Sequence, residues 1–181
     1  MLTIRQINQE NYPEGKKITY QYISEKYYKV QIEKKETGWN FSLQEERFKT
    51  PFIKDLEEEV FEPYKEGSEV YVAVVDGVEA AIMVIQEMKW NNTLLIHDLY
   101  VKQEYKGNGI GTRLIEVAKK RGEELAARLI ALETQTSNYP AIQFYLKNGF
   151  EFTGFNTMSY SNDDVKNNEV RLEMGLVLKD G

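Results

Sequence analysis

The stretch Lys106-Gly107-Asn108-Gly109-Ile110-Gly111 constrains this chain more than any other. It stands between the apolar run Leu94 to Val101 and a pattern of helical period that begins near Thr112. Gly107, Gly109 and Gly111 leave the backbone almost bare, so its N–H groups can approach a ligand without a Cβ in the way. The helix that follows adds unpaired N–H groups and a partial positive charge. Strand, loop and helix in this succession predict an anion cradle suited to a phosphate-bearing ligand.

Two familiar glycine loops compete with that reading. In a P-loop the last glycine is followed by Lys and then Ser or Thr, whereas Gly111 is followed by Thr112 and Arg113. A dinucleotide fingerprint places an acid about 20 residues beyond its glycines, and Glu133 stands at the end of the next apolar run. The last glycine spacing is wrong for it, however, and Lys102 to Lys106 separate strand from glycines where that fold turns at once.

Around this centre the chain reads as an α/β (α+β) domain. Leu2, Ile4 and Ile7 predict a short edge strand. From Tyr12 to Lys35, Tyr20, Ile23, Tyr27 and Val30 recur at roughly helical intervals and predict one or two helices. Trp39, Phe41 and Leu43 alternate as a small strand, and Thr50-Pro51 marks a break. Between Asp55 and Glu69 acids crowd around Lys65, which reads as a solvated helix face or loop, or as an acidic wall that draws in a polycation.

A meander follows. Val70 to Val75, the Asp76-Gly77 turn and Val78 to Met88 predict a hairpin, and Leu94 to Val101 adds a third antiparallel strand. A helix runs from about Thr112 to Ala127 with Leu114, Val117, Ala118 and Leu125 on one face. Leu129 to Thr134 then returns parallel to the third strand, because a helical crossover makes it so. Asn138-Tyr139-Pro140 begins a second helix and Lys147-Asn148-Gly149 ends it. Phe150 to Tyr160 and Val170 to Leu178 read as a final antiparallel pair around the polar loop Ser161 to Glu169. With neither repeat nor linker, one domain over residues 1–181 is expected.

Composition narrows the function. A chain of 181 residues can bury a core without staples. It has no cysteine and one histidine, His97, which removes disulfides, thiolate chemistry and histidine-rich metal sites. Neither a signal peptide nor a membrane span is apparent, so a cytoplasmic protein is expected. The net charge of -6 argues against nucleic acid as a partner and is compatible with a cationic substrate. A homodimer stays open.

Lys106-x-x-Gly109-x-Gly111, followed by Asn138, Ala141, Phe144, Tyr145, Lys147, Gly149 and Phe150, resembles the acyl-CoA-binding core of the GNAT N-acetyltransferases. The resemblance covers Leu94 to Phe152, with Lys106 where Gln or Arg is usual. It implies a GNAT fold, a mixed and mostly antiparallel sheet whose central parallel pair splays at the acyl-CoA site, flanked by helices. It also implies acetyl-CoA as co-substrate. The coenzyme would lie along Leu99, Tyr100 and Val101 and on the loop Lys106, Gly107, Asn108, Gly109, Ile110, Gly111 and Thr112. Asn138 would meet the pantetheine arm beside Ala141, a backbone N–H near Leu99 would hold the oxyanion, and Tyr145 would protonate the leaving thiolate.

Acetyl transfer to an amine needs the amine deprotonated, the carbonyl polarised and the thiolate protonated. Tyr145 is the candidate acid. Asp98 is the leading base, since an acid that interrupts an apolar strand is costly without a partner or a task; a structural role at a backbone bulge is the alternative. Glu133 is the second candidate, and either carboxylate could act through a water. Strand alternation predicts that His97 faces away from Asp98, and His97 reads as an ordinary surface or core histidine.

Within the family the arrangement looks closest to the streptothricin acetyltransferases. The residues that carry this are Lys89-Trp90-Asn91, Asp98, Leu132-Glu133-Thr134-Gln135, Trp39 and Pro51. A small cationic amine would then meet Trp90, Asp98, Glu133 and Tyr160 through charge and cation–π contact. Acetylation of a protein amino terminus, a lysine or a polyamine, and a non-catalytic acyl-CoA sensor, stay open beside it.

Overall fold

The computed structural model describes residues 1–178. In chain order its strands and helices are β1 (Leu2–Ile7), β2 (Lys17–Lys35), β3 (Gly38–Glu59), β4 (Glu69–Val75), β5 (Val78–Met88), β6 (Thr93–Val101), α1 (Ile110–Glu124), β7 (Leu129–Gln135), α2 (Tyr139–Lys147), β8 (Glu151–Asn156), α3 (Asp164–Asn167) and β9 (Arg171–Val177). They divide between two compact units. The first holds Met1–Tyr20, Leu56–Leu132 and the chain from Gly175; the second holds Gln21–Asp55 and Glu133–Met174.

In the first unit the strand order is β1-β4-β5-β6-β7. The first four are antiparallel neighbours, and β6 pairs parallel with β7 from Thr93↔Leu129 to Ile96↔Leu132. The mixed sheet of the GNAT fold is therefore present. Asp76 and Gly77 both take positive φ, 48° and 85°, which gives the β4–β5 hairpin the twist its strands need. β5 is buried without interruption from Ala80 to Ile85, as expected of a strand covered on both faces.

Two apolar layers cover that sheet. Ile110, Leu114, Ile115 and Ala118 form the inner stripe of α1, and full burial of Leu114 and Ile115 stabilises by about 1.5 to 3 kcal/mol each. Gly122 continues the stripe because a Cβ there would lie 2.4 Å from Leu178 Cδ1. On the opposite face Val70, Val72, Ile82 and Val84 pack with Ile7, Ile18 and Val60.

The sequence expectations fail over residues 12–59. The predicted helices are β2, and the small strand with its break at Pro51 is one long strand, β3; together they form a two-stranded ribbon. Ile23, assigned to the inner face of a helix, is 52% exposed, whereas Ile18, Tyr22 and Ser24 turn inward at strand spacing. Pro51 is tolerated because a two-stranded ribbon has only edge strands. In the second unit Tyr27 packs tilted against Phe48, and Phe48 stacks on Phe52, an aromatic ladder that suits paired strands. The polar loop Ser161 to Glu169 contains the short helix α3.

Candidate active site

The glycine loop leads directly into α1. Gly107 and Gly109 take φ of 81° and 76°, a conformation that L side chains rarely adopt, and a Cβ on either would meet open space. The glycines are thus required by backbone shape. Gly109 is the N-cap and its carbonyl accepts from Arg113 N at 3.1 Å, but no side chain caps the helix start. The first-turn N–H groups around Ile110, Gly111 and Thr112 are left for an anion, in the field of the helix dipole. Asn108 turns back to donate to the Tyr105 carbonyl at 3.3 Å.

Upstream on β6, the register against β5 jumps from Val84↔Asp98 to Ile85↔Ile96, so His97 is the extra residue of a β-bulge. The bulge corrects the expectation that His97 and Asp98 face opposite ways, because an inserted residue breaks strand alternation. Both side chains reach the 3-10 turn Pro63–Lys65: the His97 ring lies edge-on to Tyr64 at 5.9 Å, and Asp98 Oδ2 accepts from Lys65 Nζ at 2.8 Å. Lys65 is 4% exposed, and its ammonium also donates to the Glu59 carbonyl at 3.0 Å. The lysine therefore ties the bulge of β6 to the end of β3. His97 exchanges a 2.8 Å hydrogen bond with Gln86, and burial pushes its imidazole below the ordinary histidine range.

The acid-rich stretch begins as the end of β3, Asp55 to Glu59, and from Val60 to Ser68 it is turn and loop around the 3-10 turn Pro63–Lys65, so the loop reading holds for most of its length. Several of its charges are already paired: Glu57 with Lys17 at 2.6 Å, Glu69 with Arg121 at 2.7 Å, and Glu59 with the backbone N–H of Lys16 at 2.8 Å. Glu58 is half-buried and has no hydrogen-bond or ion-pair partner among the described residues. Burial, and then the charge of Asp98, push its carboxyl above the usual carboxylate range. Sequence reasoning placed Glu58 and Lys65 only within the acidic stretch, without a role of their own, and missed Tyr64. The available signal was Lys65 itself, the one cation within a run of acids.

In the second unit Asn138 caps α2, its side chain accepting from Ala141 N at 3.3 Å, with Pro140 in the first turn. Tyr145 is 7% exposed and its ring is held edge-on by Phe144 at 5.2 Å and Phe150 at 5.5 Å. Glu133 accepts from Arg171 at 2.5 Å, and the Tyr160 hydroxyl lies 3.4 Å from it. Glu133 and Tyr160 are thus brought together. Trp90, in contrast, is 81% exposed in the turn between β5 and β6, at the end of β6 remote from the glycine loop. Leu99, Tyr100 and Val101 occupy the last residues of β6, with Tyr100 beside Tyr20 at a ring separation of 5.2 Å. Among the described residues no helix is long and apolar enough to cross a membrane, and no cluster of three acids or histidines could hold a metal ion.

The family model described as Acetyltransferase (GNAT) family matches residues 4–150. The chain belongs to this family. As a GNAT protein it is an acetyl-CoA-dependent N-acetyltransferase. It is 31% identical over 132 residues to Streptothricin acetyltransferase A of Bacillus subtilis (strain 168), a match that covers 71% of this chain and 75% of the relative. It is likewise 31% identical over 132 residues to a Streptomyces lavendulae streptothricin acetyltransferase, covering 68% of this chain and 70% of the relative. Among solved structures, a nourseothricin acetyltransferase superposes with a TM-score of 0.80 at 24% identity, over 98% of this chain and 99% of the other. A Bacillus anthracis str. Ames protein in complex with acetyl coenzyme A gives a TM-score of 0.74 at 24% identity, over 99% and 98%. These two structures share the fold of this GNAT chain.

Proposed function

We propose that this acetyltransferase modifies a primary amine of streptothricin, and so acts in antibiotic resistance, as a single cytoplasmic domain. The observation that carries the substrate is the 31% identity over 132 residues to a Bacillus subtilis relative named for that reaction. The acidic balance of the chain and the acid-rich end of β3 fit an acceptor that carries several ammonium groups.

In this reading the coenzyme pyrophosphate rests on the N–H groups of the loop Lys106 to Thr112, and Asn138 uses its remaining amide donors on the pantetheine arm. The amine nitrogen attacks the thioester carbonyl carbon directly in a ternary complex. The C–N bond forms as the C–S bond breaks, a backbone N–H near Leu99 holds the transient oxyanion, and Tyr145 returns a proton to the thiolate. Asp98 and Glu133 are both ion-paired, to Lys65 and Arg171. Held in these pairs, the two carboxylates orient the cationic substrate by charge. Mass spectrometry of streptothricin after incubation with enzyme and acetyl-CoA tests the reading, with polyamines and lysine peptides as competing acceptors. A gain of one acetyl group on streptothricin supports it; modification of the peptides alone transfers the activity to protein amines.

A further inference from the structure

We infer that Glu58 takes the proton from the attacking amine, while Lys65 holds the neighbouring Asp98 in place as a fixed counter-charge. The inference rests on the acetyl-transfer reading and names a residue for its missing base. Asp98 is engaged by a buried ammonium at 2.8 Å, so its carboxylate is already committed to an ion pair. The same ammonium bonds the carbonyl of Glu59, the residue next to Glu58, at 3.0 Å. One lysine therefore fixes both the β6 bulge and the segment that carries Glu58.

Position favours Glu58 over the other acids of that segment. Leu56, Glu58 and Val60 share the inward side of the strand end, Val60 being 1% exposed, whereas Glu57 points to solvent and pairs with Lys17. Glu59 is committed to the backbone N–H of Lys16. Glu58 alone of the three is half-buried and unbonded among the described residues. The charged groups that face it are Asp98 from β6 and Lys65 and Glu62 from the turn after β3. His97 stands beside Asp98, and burial keeps it near neutral. Lys65 spends its short contacts on Asp98 and the Glu59 carbonyl, so the carboxylate of Glu58 stays open to an arriving proton. Burial and the Asp98 charge raise its affinity for that proton further.

The test combines a titration and kinetics on the full chain. In protein with 13C-labelled glutamate carboxyls, assigned by loss of one signal in Glu58→Gln, Glu58 titrates above the other glutamates, and Asp98→Asn moves it down. In steady-state assays Glu58→Gln lowers kcat by about 10²-fold and abolishes the acidic limb of kcat/KM. Asp98→Asn shifts that limb to lower pH, Glu58→Asp restores part of the rate, and Glu36→Gln, in the exposed turn between β2 and β3, leaves rate and profile unchanged. The assignment is overturned by an active wild type whose rate and acidic limb survive Glu58→Gln. It is overturned equally if Asp98→Asn, and not Glu58→Gln, removes the limb. A wild type silent toward every amine would overturn the acetyl-transfer reading itself, and this assignment with it, however high Glu58 titrates.

Discussion

Lys65 Nζ lies 2.8 Å from Asp98 Oδ2, and the lysine side chain is 2% exposed. Breaking a buried pair from one side leaves an uncompensated charge, which costs about 3 to 5 kcal/mol. Lys65→Met is therefore expected to lower the unfolding free energy by that order. Asp98→Asn should do the same from the other side, and the double variant should cost clearly less than the sum. Urea denaturation across the four proteins measures this coupling.

His97 gives stability a dependence on pH. Its folded imidazole is held below the ordinary value of 6.5 by burial, so the unfolded chain binds the proton more readily. The contribution is complete above that value and is lost as pH falls through it toward the folded pKa. Wild-type stability should decline on acidification from pH 7 more steeply than that of His97→Gln, as read from thermal unfolding at a series of pH values.

Gly109 tests the anion cradle. Its φ of 76° makes alanine there costly by about 1 to 2 kcal/mol, and the strain falls on the turn that presents the first N–H groups of α1. Gly109→Ala should raise KM for acetyl-CoA while kcat at saturation and KM for the amine change little. Calorimetric titration with CoA gives the same comparison without turnover.

Tyr145 tests the acid. Phe144 and Phe150 hold its ring edge-on, so Tyr145→Phe keeps the packing and removes only the hydroxyl. A loss of about 10²-fold in kcat with CoA affinity retained is expected.

The elements legible in the sequence are those whose signals are local. β4 and β5 follow from alternation and the Asp-Gly turn, α1 from its stripe, and α2 from Asn138 before Pro140 and a glycine at its end. The ribbon of β2 and β3 is illegible by period alone: Tyr20, Ile23, Tyr27 and Val30 fall at helical intervals, while burial keeps Tyr27 and Val30, rejects Ile23 and adds Ile18, Tyr22 and Ser24. The richness in Tyr, Ile and Val was the better indicator of strand. At the site, the glycine loop and the carboxylate of Asp98 could be read, but the partner of Asp98 could not. Lys65 lies 33 residues earlier, and only folding brings its ammonium to the bulge. The bulge itself leaves no local mark, and it turns His97 and Asp98 toward the same turn.

The most direct measurement is thiol release from acetyl-CoA by the purified protein, with streptothricin, polyamines and lysine peptides as separate acceptors. Release that depends on streptothricin and saturates with it is the predicted result. CoA binding without release on any of the three acceptors would contradict the account.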